Sequence, residues 1–268
     1  MNMKTGTFYH HIKQASAERG ETLEQTFEYV RGLGYEAAEL DADDHEGAHL
    51  LAAHGLAVSS IYRNYSWQDR IDLSAMEEHI RLAKELGAGM IMAIPGFFSE
   101  GDIDTVRSEK LKKMAEGMSR LSELASADGL ILTIEDYDNA LSPIRSIGGM
   151  KYFLDAVPEL KVAFDTGNFA YSGEDVLTAW KEFEGRTVHM HLKDRLFTRK
   201  GEGDPCICLD GRVLWPCAVG KGDIPMDELL GSLKTKGYSG YVMAEFFGAA
   251  SYSETLKASM EYLWKSID

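Results

Sequence analysis

The chain has 268 residues, of which 43 are acidic and 28 basic, and only three are cysteines. A formal net charge of −15 disfavours binding to phosphate backbones and anionic lipid, which proteins neutralise with lysine and arginine. We therefore expect no nucleic-acid and no membrane partner. Three cysteines cannot form a disulfide framework, and the sequence shows neither an apolar leader nor a run of about 18 apolar residues. These features predict a reduced, cytoplasmic globular protein.

Eight short apolar segments, typical of buried strands, alternate with longer segments whose apolar residues recur at helical spacing. In chain order the predicted strands are residues 5–8, 36–40, 57–61, 90–94, 130–135, 161–165, 187–192 and 241–245. Two helices are predicted to begin with a capping box, in which an N-cap hydroxyl and a side chain three residues later bond reciprocally to backbone amides. The pairs are Thr22 with Gln25 and Ser74 with Glu77.

Alternation of strands and helices predicts parallel strands joined by crossover helices, and eight such units predict a (β/α)₈ TIM barrel of the α/β class. A doubly wound open sheet would need a glycine-rich phosphate turn after its first strand. The segment TFYHHIKQ has no such turn. No linker divides the chain, so we expect a single domain over residues 1–268.

Four predicted strands end in side chains that bind metals: Glu135, Asp165, His191 and Glu245. Active sites of TIM barrels lie at the carboxyl ends of the strands, so these side chains should converge. Each one alone is more often a helix cap or half of a surface ion pair. Together, three carboxylates need a cation between them, because like charges at one site repel. We predict one divalent ion, with Mn²⁺ first and Mg²⁺, Co²⁺ or Zn²⁺ as alternatives.

Polar residues beside these strand ends are candidates for substrate binding. Asn168 follows Asp165 by three residues, and either binds a substrate hydroxyl or caps the next helix. Lys193 and Arg195 should ring the mouth and contact a polyol or phosphate, or else form salt bridges in a solvated loop. Tyr137 completes this predicted set.

Three neighbouring features have mainly structural interpretations. Asp194 is a candidate for orienting the His191 ring, as carboxylates do for metal-bound histidines. His189 is expected to be a hydrogen-bonded core histidine, and residues 206–217 to carry free loop cysteines. The segment Val-Gly-Lys-Gly-Asp-Ile at residues 219–224 is not a P-loop, but its glycines would permit close backbone approach to another group.

The strand ends and the 219–224 segment together resemble the sugar phosphate isomerase/epimerase family, which has a xylose isomerase-like TIM barrel. The resemblance covers nearly the whole chain and is carried by IE at 134–135, DTGN at 165–168, HLKD at 191–194, GKG at 220–222 and AE at 244–245. It implies that the four strand-end residues bind one divalent metal, and that the two glutamates act as acid and base in ketose 3-epimerases. Many epimerases have a histidine where this chain has Asn168, and their substrate-binding arginine is matched here only by Arg195.

We therefore predict a divalent-metal-dependent isomerase or epimerase that acts on a small sugar, sugar phosphate or keto-polyol through a metal-stabilised enediolate. The alternative is a metal-dependent dehydratase of a keto-cyclitol or dehydroshikimate-type substrate. An apurinic-site endonuclease would need more histidine ligands and a basic groove, whereas strand ends one to four offer only His10, Asp41, Tyr62 and Pro95. A non-catalytic binding barrel is the last alternative. The expected partner is a small carbohydrate, and a homo-oligomer is compatible with the sequence.

Overall fold

The computed structural model describes residues 3–267, so residues 1, 2 and 268 of the predicted domain lie outside it. Its strands are β1 (Lys4–Phe8), β2 (Ala37–Asp41), β3 (Ala57–Asn64), β4 (Met90–Ile94), β5 (Ile131–Ile134), β6 (Lys161–Asp165), β7 (Thr187–Lys193), β8 (Arg195–Leu196), β9 (Cys206–Ile207), β10 (Val213–Pro216) and β11 (Tyr241–Glu245). Eight of them close a parallel barrel in the order β1-β11-β7-β6-β5-β4-β3-β2. The predicted single-domain (β/α)₈ barrel is confirmed.

Helices cover the outside of the barrel. They are α1 (Tyr9–Arg19), α2 (Leu23–Leu33), α3 (Leu73–Glu85), α4 (Asp104–Ala127), α5 (Ile147–Ala156), α6 (Val176–Phe183), α7 (Met226–Thr235) and α8 (Tyr252–Ser266), with two 3₁₀ helices at Ala48–His54 and Asn168–Ser172. Within residues 3–267, no helix has the length and apolar character needed to cross a membrane.

Helix starts follow the predicted capping chemistry at one of two places. The box of Thr22 and Gln25 is present at the start of α2. The predicted box at Ser74 is wrong, because the carboxylate of Asp72 caps α3 instead. It accepts hydrogen bonds from the backbone N–H and hydroxyl of Ser74, at 3.1 and 2.7 Å. An ionised acceptor two residues upstream therefore engages the hydroxyl that the box required.

Side chains alternate between the barrel interior and the surrounding helices, as the pleat of a strand requires. On β7, Met190 and Leu192 pack into the apolar core outside the barrel. The alternate positions on this strand, His189, His191 and Lys193, are also buried. They form a polar row that faces inward and rises to the mouth.

The connections at the carboxyl end differ greatly in length. Strand β1 ends at Phe8 and α1 begins at Tyr9, so no loop separates them. The connection from β7 to α7 spans residues 194–225 and contains a separate sheet of order β8-β10-β9, which the sequence analysis did not anticipate. Two backbone hydrogen bonds connect this segment to the neighbouring loops: the N–H of Leu209 donates to the carbonyl oxygen of Tyr171, and the N–H of Asp204 donates to that of Gly248. Its three cysteines are free, as predicted.

Candidate active site

A cavity of about 400 Å³ opens at the carboxyl ends of the strands. Its lining includes all four predicted substrate-binding residues: Tyr137, Asn168, Lys193 and Arg195. Aromatic side chains contribute another part of the wall, at Phe8, Tyr62 and Phe247. The volume lies within the range of about 300–1,000 Å³ typical of small-molecule sites.

The four predicted metal ligands meet at one point. Glu135 follows β5, Asp165 and Glu245 end β6 and β11, and His191 lies on β7. All four are buried, and each offers a ligand atom within 4.8 Å of those of the others. The structure thus brings together residues that are up to 110 positions apart in the chain (135 to 245).

Two oxygens of this cluster have no hydrogen-bond partner among the described residues. Oδ1 of Asp165 accepts hydrogen bonds from the backbone N–H groups of Gly167 and Asn168, at 2.7 and 2.6 Å, but its Oδ2 has no partner among the described residues. Oε2 of Glu245 is likewise buried without a hydrogen bond. Buried polar atoms are rarely orphaned unless a water or an ion completes them. The oxygen and nitrogen donors present therefore fit a divalent cation such as Mn²⁺, Mg²⁺, Co²⁺ or Zn²⁺.

The electrostatics of the cluster favour the binding of a cation. Burial raises the pKa of Glu135 to about 7, and the charge of Glu245 adds to this rise against the opposing effect of His191. Burial also raises the pKa of Asp165 well above its usual value. The charges of Glu135 and Glu39 outweigh burial at His191 and raise the pKa of its ring. A cluster that retains protons in this way is one that a cation would bind by displacing them.

The carboxylate that contacts the His191 ring from below is that of Glu39, whereas Asp194 is the candidate that the sequence offered. Nε2 of His191 lies 2.8 Å from Oε2 of Glu39. Asp194 instead accepts hydrogen bonds from the backbone N–H groups of Gly222 and Ile224, at 2.8 and 3.3 Å. The Asp194 interpretation is therefore wrong. The only sequence signal for Glu39 was a charged residue in the interior of the short strand AAELD, between apolar neighbours.

Asp194 also explains the glycines of the 219–224 segment. A Cβ added to Gly222 would lie 2.1 Å from Oδ1 of Asp194 and 2.6 Å from the backbone oxygen of Arg195. Only glycine permits this approach. The group that the segment approaches closely is thus a side chain of the protein itself, and the contact fixes the backbone beside Lys193.

Lys193 lies at the centre of a hydrogen-bonded wall of the cavity. Its Nζ donates to Oε1 of Glu245 at 2.8 Å and to Oδ1 of Asn168 at 2.7 Å. Burial alone would lower the pKa of the lysine, but the charges of Asp138 and Glu245 raise it above its usual value. Lys193 is therefore an ammonium group held against a candidate metal ligand.

Asn168 and Arg195 complete this wall. Asn168 donates from Nδ2 to the backbone oxygen of Asp136 at 2.8 Å, and its side chain does not cap the 3₁₀ helix that begins at this residue. The predicted capping role is therefore not the one adopted. Arg195 pairs with Asp138 at 3.1 Å, so both cations that line the cavity are bound to carboxylates.

Comparison with known proteins places the chain in a family. A family described as xylose isomerase-like TIM barrel matches residues 25–265. The chain is 26% identical over 206 residues to an inosose dehydratase of Clostridium perfringens, covering 72% of this chain and 67% of that protein. Solved structures that share the fold include D-psicose 3-epimerase with D-tagatose from Clostridium cellulolyticum H10. Its TM-score is 0.73 at 16% identity, covering 99% of this chain and 100% of the other. IolI protein with a bound zinc atom has a TM-score of 0.72 at 17% identity, covering 99% and 98%. The chain belongs to the xylose isomerase-like TIM barrel family.

Proposed function

We propose that this protein is a metal-dependent dehydratase of a small, uncharged polyhydroxy ketone such as a keto-cyclitol. The observation that carries the proposal is the ammonium of Lys193, which lines the cavity 2.8 Å from Oε1 of Glu245. Loss of water needs a base for the hydrogen next to the carbonyl and an acid for the departing hydroxyl. Glu135 and Lys193, which both line the cavity, would supply the base and the acid. The similarity to relatives named inosose dehydratase also favours a dehydratase.

Two side chains, Glu135 and Lys193, would carry out the proton transfers of this reaction. Glu135 removes the proton from the carbon next to the substrate carbonyl, which leaves an enediolate. Lys193 donates a proton to the leaving hydroxyl, which departs as water while the carbon–carbon double bond forms. Solvent returns a proton to the lysine and removes one from the glutamate. A divalent ion held by Glu135, Asp165, His191 and Glu245 would polarise the carbonyl and stabilise the negative charge that proton removal creates.

The charges of the cavity favour a neutral substrate over a sugar phosphate. Four carboxylates line it: Asp41, Glu135, Asp138 and Glu245. Lys193 and Arg195 are already paired with carboxylates, so a phosphate would have to break these pairs and meet the remaining negative charge. Hydroxyl groups, by contrast, can donate to carboxylates and accept from the two cations.

The second candidate is a ketose epimerase, which the sequence analysis ranked first. It is favoured by the two glutamates, Glu135 and Glu245, which both line the cavity from different strands. Epimerisation needs a base on one face of the carbon and an acid on the other, and this pair would supply them.

One assay separates the two candidates. The protein is incubated with Mn²⁺ in D₂O and with each member of a panel of inososes and ketoses, and the reaction is followed by ultraviolet absorbance and proton NMR. A dehydratase forms an absorbing unsaturated ketone, whereas an epimerase forms an inverted product that carries deuterium. Inversion without any unsaturated product would refute the dehydratase, and absence of both reactions across the substrate panel would refute both candidates.

Lys193→Met tests the assignment of the acid. The substitution keeps the side-chain length but removes the ammonium, so we expect a loss of dehydration by about 10²–10⁴-fold while exchange of the substrate hydrogen with D₂O continues. Equal loss of dehydration and exchange would contradict the role of Lys193 as the acid. Arg195→Met is the matched control, because it removes a cation from the same wall and should raise KM more than it lowers kcat.

A further inference from the structure

A buried polar cluster at the floor of the candidate active site contains two residues, Glu39 and His189, that have no role in the chemistry described above. It consists of Glu39 on β2 and His189 and His191 on β7, whose side chains are fully buried. TIM-barrel interiors are normally filled by branched apolar side chains. Strands β1 and β11 separate β2 from β7, so the carboxylate reaches across the barrel interior. Apolar packing does not explain why a carboxylate and two imidazole rings occupy this layer of the barrel.

One carboxylate oxygen holds both rings. Oε2 of Glu39 lies 2.7 Å from Nε2 of His189 and 2.8 Å from Nε2 of His191. An ionised carboxylate only accepts hydrogen bonds, so each Nε2 must carry the hydrogen. Nδ1 of His189 is buried without a partner among residues 3–267. An unpartnered lone pair is less costly there than an unpartnered N–H group, so this nitrogen also favours placing the ring hydrogen on Nε2. All of these contacts are consistent with one arrangement of ring hydrogens.

From this geometry we infer that Glu39 is a positioning residue that holds His191 in the tautomer with Nε2–H and directs the Nδ1 lone pair at the metal site. Nδ1 faces Glu135, with which it is in contact, and it lies 3.4 Å from Oε2 of Glu245. The hydrogen bond from His189 fixes the carboxylate of Glu39, which in turn fixes the ring above it. The inference rests on the proposed function only in that it requires an ion at the site.

A second ion bound by the same trio is the competing explanation, since Glu39, His189 and His191 also form a compact group of ligand types. Zinc–ligand bonds are about 2.0–2.2 Å long, and a structural site usually has four ligands. The nitrogen–oxygen distances of 2.7 and 2.8 Å are those of direct hydrogen bonds, and the described residues offer only three ligands here. His191 would also have to lose its Nε2 hydrogen to bridge two ions. The contacts favour protons in this cluster.

Metal affinity tests the inference directly. Isothermal titration of the metal-free protein with Zn²⁺ should give an affinity for Glu39→Gln that is about 10–100-fold weaker than that of the wild type, as is typical when the partner of a ligating histidine is lost. His79→Gln is the matched control. His79 is also a buried histidine held by two hydrogen bonds, from Tyr65 at 3.0 Å and to Ile61 at 2.9 Å, but it belongs to neither cluster. Its variant should lose stability and keep the wild-type affinity.

A spectroscopic measurement separates positioning from general structural damage. In the Zn²⁺-loaded protein labelled with ¹⁵N-histidine, the ring correlations of His191 should show hydrogen on Nε2 and metal on Nδ1. Hydrogen on Nδ1, an unchanged affinity in folded Glu39→Gln, or two ions per wild-type chain would each overturn the inference. A wild-type protein that binds no ion would overturn the proposed function together with it, whereas ion binding that is indifferent to Glu39 overturns this inference alone.

Discussion

Replacing Gly222 by alanine would place a methyl group where the carboxylate of Asp194 lies. The added carbon would be 2.1 Å from Oδ1 of Asp194 and 2.6 Å from the backbone oxygen of Arg195, and a backbone atom cannot move aside locally. Overpacking of this kind destabilises by about 1–3 kcal/mol. Loss of the 2.8 Å hydrogen bond from the Gly222 N–H to the carboxylate adds about 1.5–3 kcal/mol. We therefore expect Gly222→Ala to lower the free energy of unfolding by about 2.5–6 kcal/mol.

Urea denaturation measures this difference, and Gly231→Ala is its control. Gly231 lies within α7, and a Cβ added there meets no atom within 4 Å. Because alanine is favoured over glycine in a helix by about 1 kcal/mol, this variant should be more stable than the wild type. The two glycine substitutions should thus shift the urea midpoint in opposite directions at similar m-values. A midpoint for Gly222→Ala at or above the wild-type value would refute the close contact with Asp194.

Two further predictions concern protons and metal. Burial lowers the pKa of His79 to about 4 from an unfolded value of about 6.5. The folded state therefore binds fewer protons, and about 3 kcal/mol of stability, present above pH 6.5, should be lost as the pH falls towards 4. Urea titrations across this range should show that loss in the wild type and not in His79→Gln, and equal slopes for both would contradict it. Mn²⁺ at 100 times its Kd should stabilise the protein by about 2.7 kcal/mol. This stabilisation should raise the melting temperature, and EDTA or His191→Ala should remove the rise. A melting curve of the metal-loaded wild type that EDTA leaves unchanged would argue against the site.

The barrel and the convergence of its four candidate ligands were predictable because they depend on local periodicity and on one rule of the fold. Glu135, Asp165, His191 and Glu245 each lie at or near the end of a recognisable strand, and barrel strands end at a common mouth. The role of Glu39 was not predictable, because its partner His189 lies 150 residues away and no local pattern records which inward-facing side chains meet across the barrel.

Other errors arose where local signals were weak or ambiguous. The β8-β10-β9 sheet escaped prediction because two of its strands have only two residues, too few to show alternation. The cap of α3 was misassigned because Asp72 and Ser74 are both good N-cap residues, and sequence spacing alone does not rank them.

The connections at the carboxyl ends of the strands differ in length, so the mouth of the cavity is bordered differently on its two sides. After β7 the chain runs through a segment of more than thirty residues (194–225), whereas after β1 it turns straight into α1 at Tyr9. The β1 side is bordered by Phe8 and Phe247, whose rings lie 5.2 Å apart, and by His10, which stacks on Phe247. A molecule that enters on this side would pass aromatic rings, and their size would limit the width of the passage independently of the residues proposed to perform the chemistry.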